Sequence, residues 1–233
     1  KTWIQEHTNM HKQHQKIGIF VGMINNKFIE KWSDNLLKIE PLIGYYKSLI
    51  PEFRSYCQFI NDMGLVTCNS NVADKVIKNN ENIYFNGPAG VNMSFKSRLI
   101  DDFKLPGATI RGLHYEQLLM LHYIINHKMH SAVFKGANVL HVERESLSRA
   151  KSQSTLFMQL IENVVLPYSI MQTQPSIKIN LRKLKLYYEL IKLYLKIRKR
   201  LRFKAYETGL QLTIEAIENN YEPREVRNKL IEL

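Results

Sequence analysis

The segment from Leu181 to Phe203 constrains the fold of this chain more than any other, because it is a long uninterrupted run of good helix formers. It contains no glycine or proline, and its leucines, isoleucines and tyrosines recur at helical spacing. On a helical wheel most of its cations fall within an arc of roughly 100°, and the rest of the circumference is mostly apolar. We therefore predict one helix over residues 179–203 that packs against neighbours on at least two sides.

Helical periodicity also dominates the rest of the sequence. It covers residues 2–38, 53–63, 71–79, 93–103, 113–125, 139–151, 155–165, 206–220 and 223–233. Gly18 and Gly22 predict a bend in the first of these helices, and Gly64 is typical of the residue after a helix end. No alternating apolar and polar pattern longer than four residues is flanked by turn residues at both ends. We therefore predict an all-α fold of consecutive antiparallel helical hairpins with solenoid-like stacking.

Composition shifts divide the chain into three parts. Residues 1–79 are predicted as an N-terminal helical region and residues 113–233 as a C-terminal helical region. Between them, residues 80–112 contain Gly87-Pro88-Ala-Gly90 and Pro106-Gly107, which punctuate helices strongly. We predict that this central segment is an irregular linker.

The charge of the chain is concentrated in the predicted long helix. The whole sequence has 33 Lys and Arg against 21 Asp and Glu, a net charge of +12, and residues 178–204 hold eleven of these cations against Glu189 alone. Cations one helical turn apart repel each other, so such a stripe is stabilised when an anion lies against it. Nucleic-acid phosphates are the expected anion. The predicted phosphate contacts are Arg182, Lys185, Lys192, Lys196, Arg198, Lys199, Arg200, Arg202 and Lys204.

RNA is favoured over DNA because no helix-turn-helix, zinc-finger or basic-zipper pattern is present and tyrosines interleave with the cations. We predict a non-catalytic protein that docks its basic helix on rRNA or mRNA beside neighbouring proteins of a larger complex. A ribosomal subunit component and an mRNA-binding translation factor both fit this description. The alternative is a helical adaptor whose basic helix meets an acidic protein or an anionic membrane surface.

Catalytic, metal and membrane signals are weak in this sequence. His7, His11 and His14 share one helix face, but no carboxylate or thiolate completes a ligand set there. The two cysteines lack the spacing of a zinc site. The longest apolar run, residues 17–24, is shorter than the ~20 residues of a transmembrane helix. We expect no enzyme, no cofactor, no bound metal and no transmembrane segment.

The C-terminal residues 209–231 resemble part of a pentatricopeptide repeat. A small residue, Gly209, precedes Leu210, an apolar helix face follows, and Pro223 comes thirteen residues after that leucine, before Asn228 and Leu230-Ile231. The resemblance implies a helical-repeat RNA-binding protein of an organellar gene-expression system; it identifies no base-reading residue.

Composition gives the only indication of location. Asn, Lys and Ile are frequent, as AT-rich coding produces, and the chain starts at Lys1 rather than Met, as expected of a cleaved or trimmed product. We predict the mitochondrial matrix, with the cytoplasm or nucleus as alternatives.

Overall fold

The protein is a mixed α/β chain, and the all-α prediction is wrong. A computed structural model describes residues 2–27, 47–88, 90–141 and 152–233, and 53% of these residues are helical and 13% are strand. The helices are α1 (Trp3–Gln13), α2 (Ser70–Asn79), α3 (Tyr115–His127), α4 (Gln153–Asn163), α5 (Leu166–Thr173), α6 (Leu181–Ile197), α7 (Leu201–Glu218) and α8 (Pro223–Ile231). The strands are β1 (Ile17–Val21), β2 (Gln58–Ile60), β3 (Val66–Cys68), β4 (Ile83–Phe85), β5 (Met93–Phe95) and β6 (His130–Phe134).

Four of the strands form one mixed sheet in the order β4-β6-β1-β5, and β2 and β3 form a separate hairpin. The central pair, β1 and β6, is parallel, with Val21 opposite Val133. The two outer strands are antiparallel to their neighbours: Phe20 lies opposite Ser94 of β5, and Tyr84 of β4 lies opposite Val133. The sheet therefore joins residues more than 100 positions apart in the sequence.

Both faces of the sheet are covered. Phe20 and Phe134 pack together on the face that α1 covers, where Met10 joins them. On the opposite face, Ile19 belongs to a core with α3, whereas Val21 packs beside α2. Because β1 is buried along its whole length, it shows no alternation in its sequence, which explains why the search for alternating strands missed it.

Several helices predicted in the N-terminal half are wrong. The first helix ends at Gln13. Gly18, which was predicted to bend this helix, lies in β1. A Cβ at this position would lie 2.2 Å from Tyr123 Cδ1, so the strand needs a glycine there. Residues 53–63 form a 3-10 turn followed by β2 rather than a helix. Residues 93–103 contain β5 and another 3-10 turn, Ser97–Leu99.

Other predicted helices are present, or lie outside the described residues. Helices α2, α3 and α4 match the predictions at 71–79, 113–125 and 155–165. Residues 28–38 of the first predicted helix, and residues 142–151 of the one at 139–151, lie outside the described residues. The segment predicted as a linker, residues 80–112, contributes β4 and β5 to the sheet; the division into three parts stays a prediction.

The C-terminal half is a helical layer built around α7. One side of α7 packs against α6 through Tyr206 and Leu210, and another side packs against α4 and α8 through Leu212 and Ala216. Helix α5 joins this layer to the sheet half, because its Leu166 lies in the same core as Ile19. In the described part of the chain, none of the helices combines the length and apolar character needed to cross a membrane.

Candidate nucleic-acid interface

The first turn of α6 is fixed to the hairpin of β2 and β3. Asn180 caps this helix: its side chain accepts a hydrogen bond of 3.1 Å from the Lys183 backbone N–H, and its own N–H donates to the Asp62 carbonyl over 2.7 Å. The Lys183 ammonium lies 2.6 Å from the Asp62 carboxylate. This anchor sets the position of α6, and hence where its far end lies.

Helices α6 and α7 form an antiparallel pair. The buried side chains of α6 are Leu184, Tyr187 and Ile191, and they pack in one core with residues of α7. Lys185, near the start of α6, forms an ion pair with Glu218, the last residue of α7. The chain between the two helices is therefore at the opposite end of the pair.

That connection is short and basic. Arg198 and Arg200 have extended backbones, and Arg200 donates its N–H to the Arg198 carbonyl over 2.7 Å. The rings of Tyr194 and Phe203, whose centres are 5.6 Å apart, brace the two helix ends beneath it. We define the basic turn as the four cations at this connection, of which the first three are exposed and the last is half-buried: Arg198, Lys199, Arg200 and Arg202.

The predicted contacts differ in their ion pairing, and the four cations of the basic turn belong to the unpaired group. Lys185, Lys192 and Lys204 pair with Glu218, Glu189 and Glu207, respectively, and the Glu189 hydrogen bond raises the pKa of Lys192. Within the described ranges, the other predicted cations have no carboxylate partner: Arg182, Lys196 and the four of the basic turn.

The predicted helix over 179–203 is wrong at its C-terminal end, and this changes the electrostatics. Because α6 ends at Ile197, Lys196 and Arg198 lie near a helix C-terminus, where cations are favourable, but Arg200 and Arg202 lie at the N-terminus of α7. Cations are unfavourable at that end of the helix dipole. Arg200 provides no side-chain cap, and the first turn of α7 contains no acidic residue. An anion bound here would relieve the repulsion and accept hydrogen bonds from the first backbone N–H groups of α7.

The predicted stripe is therefore divided into two groups. Arg182 and Lys185 lie near the start of α6, roughly 20 Å from Lys196 at a rise of ~1.5 Å per residue. Lys199 and Arg200 belong to the connection rather than to the face of α6. The densest group of unpaired cations is the basic turn.

A polar cleft of about 330 Å³ lies between α3, α5 and the chain before α3. His122 donates from Nε2 to the Leu99 carbonyl and accepts at Nδ1 from Asn126, which fixes it as the Nε2–H tautomer. Gln174, only 5% exposed, also lines the cleft. Its lining residues come from distant segments of the chain, and a local spacing pattern does not show that such segments meet. The cleft was therefore not predicted from the sequence.

The histidines of α1 are part of the packing between α1 and the sheet. His7 Nε2 lies 3.2 Å from Asn92 Oδ1, and His7 Nδ1 lies 2.6 Å from the Ser94 hydroxyl, which His11 also approaches. Burial lowers the pKa of both histidines. The spacing of His7 and His11 therefore places both side chains on the face of α1 that packs against the sheet.

Comparisons with protein-family models, curated proteins and solved structures found no match to this chain. Residues 209–231, which resemble part of a pentatricopeptide repeat, lie in α7, in the loop after it and in α8; membership of that family stays a prediction.

Proposed function

We propose that this protein binds RNA through the phosphate backbone, with the basic turn as its main contact. The observation that carries the proposal is the basic turn itself: four cations within five residues, without carboxylate partners in the described chain, at an uncapped helix start. Arg side chains supply planar, bidentate donors that match phosphate oxygens. The role is binding rather than catalysis, and the organellar setting inferred from the sequence stays a prediction.

The test compares two variants with the same loss of net charge. Arg198→Gln/Lys199→Gln/Arg200→Gln neutralises the exposed cations of the basic turn, and Lys12→Gln/Lys75→Gln/Lys78→Gln neutralises three exposed lysines of α1 and α2. Fluorescence anisotropy with a short labelled single-stranded RNA gives Kd at several salt concentrations. We expect the first variant to weaken binding by about 100-fold or more, and the control by a few-fold at most.

The salt dependence supplies a second readout. If all four cations of the basic turn contact phosphates, log Kd should change with log salt concentration with a slope of about 3, and the triple variant should lose most of that slope. Equal effects of the two variants would show that RNA binding follows net charge alone and would contradict the proposal. An unlabelled DNA competitor of the same sequence tests the preference for RNA.

A further inference from the structure

Helix α6 carries an exposed apolar surface that is separate from the basic turn. Leu186, Leu193 and Ile197 are 53%, 52% and 72% exposed, and Leu190, between them, is half-buried. We call these four residues the apolar stripe. They lie on the side of α6 away from the face that packs on α7, whose buried residues are Leu184, Tyr187 and Ile191.

The spacing of the apolar stripe is that of a helix–helix seam. Its members follow one another at intervals of four, three and four residues, which places them on one narrow line along the helix, as in a two-helix contact. Within the described part of the chain, most of the apolar stripe is exposed to solvent. Apolar side chains aligned in this way on a soluble protein mark a contact surface for a partner.

The charge beside the apolar stripe selects the partner. One edge of the stripe is formed by Arg182, Lys185, Glu189, Lys192 and Lys196, a net charge of +3. The pairs that Lys185 and Lys192 make with glutamates are exposed, and exposed pairs exchange partners at little cost. Arg182 and Lys196, at the two ends, have no carboxylate partner among the described residues. A complementary helix therefore carries acidic residues along the edge that meets them.

A second copy of this chain fits the stripe poorly. In an antiparallel helix pair the same edge of each helix faces its counterpart, which would place the two basic edges together. RNA fits it poorly as well, because phosphates and riboses offer no apolar surface to cover leucine and isoleucine. An acidic amphipathic helix satisfies both the apolar stripe and its basic edge.

We propose that the apolar stripe of α6 binds an acidic amphipathic helix of a partner protein. The apolar side of that helix covers Leu186, Leu193 and Ile197, and its carboxylates meet Arg182 and Lys196. This inference goes beyond RNA binding, since it uses another face of α6 and leaves the basic turn free. It gives the protein two independent attachments, one to RNA phosphates and one to protein.

The experiment uses the full chain and two synthetic helical peptides that share a leucine seam. One peptide carries glutamates beside the seam and the other carries lysines at the same positions. Fluorescence anisotropy should show that the acidic peptide binds about tenfold or more tightly than the basic one. Leu186→Gln/Leu193→Gln/Ile197→Gln should weaken the acidic peptide by about tenfold or more. Ile77→Gln/Leu156→Gln, at residues 50% and 46% exposed, is the control and should leave the Kd of the acidic peptide unchanged.

Circular dichroism checks that the variants fold, which is expected because the substituted side chains are exposed. Equal affinities for the two peptides, or an unchanged Kd in the triple variant, would overturn the proposal. Sedimentation that shows a dimer of the native chain, and a monomer for the triple variant, would assign the stripe to a second copy instead. A loss of RNA affinity in the triple variant would show that the apolar stripe contacts RNA and would overturn the proposal. Retained RNA affinity with lost peptide binding supports the proposal and keeps it distinct from the role of the basic turn.

Discussion

Gly209 shows how a single residue sets the spacing of the C-terminal helices. A Cβ at this position would lie 2.5 Å from Val164 Cγ2 and 2.7 Å from the Ile161 carbonyl oxygen. One turn further along α7, the Thr213 hydroxyl lies 2.7 Å from the Val164 carbonyl oxygen. The absence of a side chain at Gly209 therefore lets α7 approach the end of α4 closely enough for this contact.

Gly209→Ala should destabilise the protein although alanine is the better helix former. Overpacking costs about 1–3 kcal/mol, whereas the gain in helix propensity is about 1 kcal/mol, so we expect a net loss in the free energy of unfolding. Urea denaturation measures it. Gln211→Ala, on the exposed side of the same helix, is the control. A Gly209→Ala protein at least as stable as the native one would show that α4 and α7 can separate without cost.

At the scale of elements, α6 is held by its first turn and by one face. The partly buried ion pair of Lys183 with Asp62 and the hydrogen bond from Asn180 Nδ2 to the same carboxylate, at 3.3 Å, link the helix start to the chain after β2. The exposed ion pairs of α6 join Lys192 to Glu189 within the same helix and Lys185 to Glu218 of α7. Of these contacts, only the two made by the Asp62 carboxylate position α6 relative to the sheet half.

Asp62→Ala should loosen the start of α6. Loss of the ion pair and of the Asn180 contact should lower the free energy of unfolding by about 1–2 kcal/mol. Hydrogen exchange of the backbone amides at residues 181–185 should accelerate, because the capped turn frays first. Glu189→Ala removes only the pair within the helix and should leave that exchange unchanged. If Asp62→Ala also left it unchanged, the Asp62 carboxylate would contribute nothing to the position of α6.

The sequence predicted helices better than strands, for physical reasons that particular elements illustrate. Helices α2, α3 and α4 show apolar periodicity within one local segment. Strand β1 is recognisable only through its pairing with β6, more than 100 residues away, and burial on both faces removes its alternation. Phe53 and Tyr56 lie at helical spacing within the predicted helix 53–63; they are buried, but in and after a 3-10 turn.

The candidate site was predicted in composition but not in shape. All nine predicted cations lie in or beside the α6–α7 pair, yet the end of α6 at Ile197 was not foreseen. Residues 196–204 contain no glycine or proline, and lysine, arginine and leucine all favour helix. Tertiary packing accounts for the end of α6, because α7 folds back and buries Phe203 and Tyr206 against α6. Sequence periodicity carries no information about that reversal.

At the scale of the whole molecule, buried histidines couple stability to pH. Burial lowers the pKa of His7, His11, His114 and His130, and that of His114 falls from 6.5 to about 4. In the window between those two values His114 binds a proton more readily in the unfolded chain than in the folded one. The stability contributed by neutral, buried imidazole is therefore present above pH 6.5 and is lost progressively as the pH falls toward 4.

His114→Asn should flatten this dependence, because asparagine tolerates the left-handed backbone of this position, φ 68°, and does not titrate. The measurement is the free energy of unfolding in urea from pH 7 to pH 4, in native and variant protein. Burial raises the pKa of Glu116 and Glu162, which act in the opposite sense, so the informative quantity is the difference between the two curves. If the free energy of unfolding changed with pH in the same way in both proteins, His114 would contribute nothing to the pH dependence of stability.

The position of β6 in the sheet has a consequence for biosynthesis. Among the strands of the described residues it is the last along the chain, yet it lies between β4 and β1. Until the ribosome has released residue 134, β4 has no partner and one edge of β1 stays open, so the nascent sheet cannot close. The α6–α7 pair, in contrast, makes its contacts within a short stretch and can form as soon as it emerges. Translational pausing before β6 would thus prolong the exposure of two aggregation-prone edges, whereas a pause after it would not.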